Sequence, residues 1–499
     1  MRSPDTTDTS LYAKREPVYP KAVDGRFRRF KWAVMILTLG IYYITPWLRW
    51  DRGPYAPNQA VLVDLAHRRF FMFGIEIWPQ EFYFVAGLLI MAGIGLFLIT
   101  SAVGRAWCGY ACPQTVWTDL FQHVDRLVDG DRNAQMRLEA APWGANKIFK
   151  RGLKWSIYLF ISFWTGGAWI MYFADAPTLT VDFWSGQAAP VAYATVAVLT
   201  ATTFVLGGFM REQVCVYMCP WPRIQAALTD EWALNVTYRY DRGEERTSLK
   251  KAKELRAKGE SVGDCVDCNA CVAVCPMGID IRDGQQLECI TCALCIDACD
   301  SVMDKIGKPR GLIAYATLDE YQSNMALATG GGTCAIDPAK VRNADGSFSD
   351  KIRHFDWRVI FRARTLLYMS VWTAVGVAML IALLGRDRLE VNVLHDRNPQ
   401  FVLESDGSIR NGYTVRILNM IAAPREIQVS IEGLPDATMK INGINQPPAR
   451  AFTVSVEPDE ATTLKVFVTL AGDKVTVVFS VPLSKVNLAA PPLALTGLP

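Results

Sequence analysis

The sequence predicts a multidomain membrane protein, and three observations carry that reading. Five uncharged apolar stretches are each about long enough to cross a bilayer as a helix. Two copies of C-x2-C-x2-C-x3-C stand between the fourth and fifth stretches, and after Arg386 the apolar period changes to two. Together they give a five-span α-helical bundle, a two-cluster ferredoxin-like insert and a C-terminal Ig-like β-sandwich. A chain of 499 residues has room for all three. The averages conceal them: 51% of residues are hydrophobic, yet mean hydropathy is only +0.13. A net charge of +3 excludes the strongly basic footprint of a nucleic-acid binder.

The spans are residues 32–48, 82–104, 155–174, a segment within 183–210, and 365–385. Five runs of this length argue against buried helices of a soluble core. A long polar segment precedes the first and no small-residue cleavage site follows it, so no cleavable signal is expected. Basic residues then set the orientation. Arg26, Arg28, Arg29 and Lys31 stand before the first span. Arg105, Arg126, Arg132, Arg137, Lys147, Lys150, Arg151 and Lys154 lie between the second and third, whereas 175–190 has no Lys or Arg. The loop after the first span is less tidy, with Arg49, Arg52, Arg68 and Arg69. The balance makes 1–31 a cytoplasmic tail and 32–210 a four-span domain of a bacterial inner membrane. It places 211–364 in the cytoplasm, 365–385 across the membrane and 386–499 in the periplasm. All thirteen cysteines precede residue 335, on the reducing side of this arrangement.

Within the insert, CVDCNACVAVCP supplies Cys265, Cys268, Cys271 and Cys275, and CITCALCIDACD supplies Cys289, Cys292, Cys295 and Cys299. This is the spacing of two-cluster bacterial ferredoxins, in which three close cysteines wrap one cube and the fourth reaches the other. One 4Fe–4S cluster is expected on Cys265, Cys268, Cys271 and Cys299, and the second on Cys289, Cys292, Cys295 and Cys275. Zinc also takes paired CxxC motifs, but two full repeats favour iron–sulfur. Asp300 follows the second motif where Pro276 follows the first, so a different exit turn is expected.

Two shorter motifs mark the membrane edge. WCGYACPQ carries Cys108 and Cys112, and CVYMCPWP carries Cys215 and Cys219. Both read C-x-Y-x-C-P, with Tyr110 matching Tyr217, and suggest an internal repeat. Cysteines four apart share a helix face, and the proline tends to end the helix there. Packed side by side, the second and fourth spans bring four thiols together. Soft thiolates suit Cu(I), an iron–sulfur centre or a redox dithiol, while helix packing by small apolar side chains is the plain alternative. Met218 and His123 are candidate further ligands, and Cys334 has no partner in sequence. None of the four histidines, His67, His123, His354 and His395, lies inside a span, which argues against a bis-histidine haem. No GxxxxGK[ST] and no strand-linked GxGxxG supports ATP- or NAD-driven chemistry.

Beyond Arg386, Tyr413, Val415 and Ile417 alternate with polar residues, as do Ile427, Val429 and Ile431, then Phe452, Val454 and Val456, and finally Val475, Val477 and Phe479. Short strands between turn residues predict a β-sandwich, although the cysteine and tryptophan of immunoglobulin domains are missing. Its expected role is docking a partner.

These features carry a resemblance along essentially the whole chain. The paired CxxxCP motifs, the double ferredoxin motif, KPRGLIAY at 308–315 and a tail with NGYTVRILNM resemble the cytochrome c oxidase accessory protein family (CcoG, FixG, RdxA). The resemblance implies an oxidoreductase, a cupric reductase that converts Cu(II) to Cu(I) for assembly of cbb3-type cytochrome oxidase. It implies a copper or redox site at Cys108, Cys112, Cys215 and Cys219. Electrons would come from a cytoplasmic or membrane donor, and Cu(I) would pass to a copper transporter or chaperone and oxidase assembly factors. A NapH-like quinol dehydrogenase subunit and a non-catalytic assembly scaffold remain open. A nitrogen-fixation regulator lacks any DNA-binding or kinase motif.

Overall fold

The computed structural model describes residues 17–330, 336–343, 348–349, 351–353, 360–421, 423–432, 434, 436–444, 446–458, 461–471 and 478–480. Cys334, His354, Val475 and Val477, named above, lie outside them. The chain divides into two compact units, residues 1–47 with 83–377, and residues 48–82 with 378–499.

Helices run through all five predicted stretches: Arg26–Ile44, Tyr83–Val103, Ala145–Ile170, Pro190–Thr203 prolonged by a π turn Phe204–Met210, and Ala363–Leu384, whose end lies in the second unit. Among the described residues, Pro79–Val103, Pro190–Met210 and Ala363–Leu384 are long and apolar enough to cross a membrane. The other two helices begin in basic segments. The first starts at Arg26, ahead of the predicted 32, because its basic turn is buried and paired. Arg28 Nη1 lies 2.7 Å from Asp119, and Lys31 Nζ lies 3.8 Å from the same carboxylate. Helix Pro113–Val128 carries that aspartate and Asp125, which pairs with Arg211 at 2.7 Å. Asp129, at its C-terminal end, pairs with Lys154. Burying charge in this way requires such partners. Several basic residues that bias the orientation are therefore also internal ion pairs.

The ferredoxin-like insert is built on two helices, Ala270–Ala273 and Leu294–Lys305, and an antiparallel pair, Asn235–Tyr238 with Ile313–Ala316. The exits of the two cysteine motifs do differ. Pro276 lies inside a turn in which Gly278 N–H donates to Cys275 O. Asp300 instead continues the helix and accepts a hydrogen bond from Gly311 N–H at 2.9 Å. The insert is tied to the first helix by Asp297, whose carboxylate accepts the Phe27 and Arg28 N–H groups at 3.3 and 2.8 Å. That carboxylate satisfies donors every helix start leaves open.

Among the described residues, the C-terminal part of the second unit holds two sheets. One runs in the order Thr438–Ile441, Ala461–Ala471, Ser408–Asn419, Leu389–His395, with Val402–Leu403 also on Ser408–Asn419. The other runs Ala451–Val456, Arg425–Glu432, Val478–Ser480. The predicted alternation holds: Tyr413, Val415, Ile417, Ile427, Val429, Ile431, Phe452, Val454 and Val456 close one apolar core. Residues 48–82, expected only as a loop, carry a three-stranded antiparallel sheet, Val61–Asp64, Arg69–Met72 and Ile75–Ile77. Trp78 clusters with Leu418 and Met420, and Arg386 pairs with Glu81 at 2.7 Å. This explains two of the untidy arginines. Arg52 donates to the carbonyls of Phe73, Pro57, Gln59 and Ala60, and Arg69 pairs with Glu76 and lies over the Trp78 ring.

Candidate functional site

The eight ferredoxin cysteines line two cavities. Cys265, Cys268, Cys271 and Cys299 wall one. Cys275, Cys289, Cys292 and Cys295 wall the other, with Cys271 at its edge. The backbone repeats as faithfully as the sulfurs. The residues flanking the middle cysteine are left-handed in both loops: Asp267 and Asn269 have φ of 51° and 54°, and Thr291 and Ala293 have 51° and 61°. For threonine and alanine this conformation costs about 1–2 kcal/mol. Turns of this kind aim successive N–H groups into an anion-binding concavity, as at many iron–sulfur sites. Burial pushes the Cys271 thiol up to about 11 and the Cys275 thiol up to about 12, so thiolates there need a bound cation. Among the described residues, no three His, Cys, Asp or Glu side chains converge as ligands of a single ion would. Four thiols spaced around each void fit a multi-iron cube. The residues therefore fit two 4Fe–4S clusters, and Cys268 is exposed.

Both membrane-edge motifs fold as π turns, Trp107–Ala111 and Val214–Met218, where a plain helix was expected. Cys112 N–H bonds Trp107 O at 2.9 Å, and Cys219 N–H bonds Val214 O at 2.8 Å. The prolines do interrupt, but the chain restarts at once as Pro113–Val128 and Trp221–Leu228. A π turn disturbs the regular carbonyl ladder and is frequent at functional sites. Side chains take up the difference here. Thr115 Oγ1 donates to Cys108 O at 2.6 Å, and Gln114 Nε2 donates to Leu206 O at 2.9 Å and Arg211 O at 3.2 Å. The Cys108 thiol donates to Oε1 of the fully buried Gln225 at 3.2 Å, whose Nε2 donates to Thr100 Oγ1. The first motif is thus held by a glutamine from the helix that follows the second, while Gln114 satisfies carbonyls of the segment just before the second motif.

The four thiols share one neighbourhood. Burial pushes Cys108 and Cys215 up to about 12, and charge at Cys112 and Cys219 acts on both in the same direction. The repeat is not symmetric, however. Tyr110 is buried while Tyr217 is 79% exposed. Met218 is exposed, and the His123 ring stands edge-on to Trp32, 5.0 Å away.

The asymmetry has a cause in the insert. A cavity of about 220 Å³ is lined by Cys108, Cys215 and Cys219, by Arg105, and by Cys289 and Ile290 of the second ferredoxin motif. A Cβ on Gly109 would lie 2.6 Å from the Ile290 carbonyl oxygen and 3.1 Å from Cys292 Cα, so only glycine permits this approach. Tyr110 Oη donates to Cys292 O at 3.1 Å. Arg105 donates to the carbonyl oxygens of Leu287, Cys289 and Pro222. Sequence reasoning located the thiols and missed Arg105, Gly109 and Gln225. One signal was available: the first motif has glycine where the second has Val216.

Three family models match parts of the chain. A 4Fe-4S binding domain covers residues 84–129, a 4Fe-4S dicluster domain covers 210–318, and the IG-like fold at the C-terminal of FixG covers 379–485. The chain is 67% identical over 460 residues to the nitrogen fixation protein FixG of Rhizobium meliloti (strain 1021), spanning 92% of this chain and 87% of that one. It is 56% identical over 472 residues to Protein RdxB of Cereibacter sphaeroides, spanning 95% and 92%. Identity to Protein RdxA of the same organism is 55% over 433 residues, spanning 87% and 86%.

Proposed function

We propose, for a chain that belongs to the FixG/RdxA family, a role as a membrane iron–sulfur protein that delivers single electrons to Cu(II) at the membrane edge. Two 4Fe–4S clusters, when bound, supply storage and release of one electron each. Cys265, Cys268, Cys271 and Cys299 hold one, and Cys275, Cys289, Cys292 and Cys295 hold the other. Copper is the substrate: Cu(II) takes one electron to give Cu(I), a soft ion suited to the thiolates of Cys108, Cys112, Cys215 and Cys219. The Cu(I) then serves assembly of a cbb3-type cytochrome c oxidase by way of a copper transporter or chaperone. The chain crosses a bacterial inner membrane five times, with the insert cytoplasmic and the sandwich periplasmic.

The observation that supports this reading is the common cavity, where three membrane-edge sulfurs and the cluster ligand Cys289 face one void. Gln225 and Arg105 orient its walls, and the insert covers it. The test mixes dithionite-reduced, desalted protein with Cu(II) and a Cu(I)-specific chelator under anaerobic conditions. One Cu(I) complex should form for each cluster reoxidised. Clusters that reoxidise without any Cu(I) complex would end the copper reading. Cys108→Ser combined with Cys215→Ser should abolish the yield, and an unchanged yield would move the site elsewhere.

A further inference from the structure

Arg105 is a buried cation without a carboxylate. It is 7% exposed, and its hydrogen bonds go to three carbonyl oxygens. Among the described residues no Asp or Glu forms an ion pair with it. The other buried arginines of this unit behave differently: Arg28 pairs with Asp119, Arg242 with Asp264, and Arg282 with Asp267 and Asp280. A buried charge requires a counter-charge. The cavity that Arg105 lines offers sulfur, from Cys108, Cys215, Cys219 and Cys289. Burial pulls the guanidinium pKa down, and the groups that oppose this are, in order, Cys289, Cys108 and Glu288.

The first cluster's cavity also has an arginine in its wall, Arg282, but that charge is cancelled. Asp267 and Asp280 each hold it at 2.6 Å. The two cluster sites therefore lie in unequal fields, one beside a guanidinium paired with two carboxylates and the other beside one on which Glu288 acts only from beyond ion-pair distance. Reduction adds one electron to a cluster, and nearby positive charge favours that form.

We infer that Arg105 holds the cluster of Cys275, Cys289, Cys292 and Cys295 at a higher reduction potential than its neighbour, so that the electron of a half-reduced chain resides beside the membrane-edge thiols. Arg105 is in this sense a positioning residue, acting through the cluster ligands. The inference rests on the cluster assignment of the proposed function and not on copper.

The test is a potentiometric EPR titration of the full-length, cluster-loaded protein in detergent, with dithionite as reductant and no copper present. Arg105→Gln should lower one midpoint only, by a tenfold loss in the reduced-to-oxidised ratio at fixed potential, which is about 59 mV for a one-electron couple. Arg105→Lys, which keeps the charge, should restore most of it. Cys268→Ser assigns the signals, because it perturbs the first cluster and leaves the shifted one in place. Two unmoved midpoints, a shift confined to the first cluster, or failure of lysine to restore would each overturn the inference. Loss of iron in both Arg105 variants would also overturn it, in favour of a purely structural contact. A wild-type protein with about four rather than about eight iron per chain would instead sink the cluster assignment.

Discussion

Replacing Gly109 with alanine puts a methyl group 2.6 Å from the Ile290 carbonyl oxygen, 3.1 Å from Cys292 Cα and 3.2 Å from Cys292 N. All three are backbone atoms, so no rotamer change relieves the contact. Ordinary separation requires the facing loop to retreat by roughly 0.8 Å, an overpacking that costs about 1–3 kcal/mol. The retreat lengthens the Tyr110–Cys292 bond from 3.1 Å and the Arg105–Cys289 bond from 3.2 Å. Each hydrogen bond weakened in this way costs about 0.5–1.5 kcal/mol more. Helix propensity opposes these terms, since alanine is better than glycine by about 1 kcal/mol. The net expectation is a loss of about 1–5 kcal/mol. Gly152→Ala is the control, because nothing lies within 4 Å of its added Cβ, and it should be neutral or stabilising. Denaturant unfolding followed by cluster absorbance gives the stability, and hydrogen exchange over residues 286–296 localises the change. A Gly109→Ala protein within about 0.5 kcal/mol of wild type, with unchanged exchange there, would refute the docking of the first CxxxCP motif against the second cluster loop.

Other consequences follow from contacts of the same kind. Asp297→Ala leaves the Phe27 and Arg28 N–H groups without their acceptor and should cost about 1–2 kcal/mol, with faster amide exchange at the start of the first helix. Unchanged exchange would mean that the cap is idle. Glu81→Ala strands Arg386, whose side chain is 10% exposed, and should destabilise the unit holding the β-sandwich by about 3 kcal/mol in denaturant unfolding. Glu320 supplies a pH dependence. Burial pushes its carboxyl up to about 7, against the pull of the Thr317 backbone and Arg239. A folded value above the unfolded one of about 4.3 favours the protonated fold. Stability is therefore full below about pH 4 and declines as pH rises to about 7. The loss is at most about 4 kcal/mol before solvent screening, which reduces it for this half-buried group. Glu320→Gln should flatten that stretch of the pH–stability curve, and an unaltered slope in the variant would count against the assignment.

The parts legible in the sequence were those encoded locally. The cysteine spacing pointed to two groups of four thiols, and these groups wall two cavities, because three of each four stand in one short loop. Period-two alternation gave the sandwich core because side chains alternate across any strand. What escaped depends on contacts between distant segments. Asp297 reads as one more acid in CIDACD until it is found on the first helix. Gly109 reads as a small residue until the carbonyl of Ile290 is found against it. The π turns escaped because C-x-x-x-C fits an α-helix equally well, and the first is held by Thr115 at the Cys108 carbonyl rather than by propensity. The sheet at 61–77 escaped because its strands are three or four residues long and carry charges. It packs with the β-sandwich, far along the chain. The pairing of Arg28, Lys31 and Lys154 was hidden for the same reason, since their carboxylates lie at the other end of long sequence separations.

The most direct test of the central claim is anaerobic EPR of the dithionite-reduced, desalted protein during stepwise addition of Cu(II). The account predicts that the Cu(II) signal fails to appear until the cluster signals have vanished, one equivalent of copper for each cluster oxidised. A Cu(II) signal that grows from the first addition while both clusters stay reduced would contradict it.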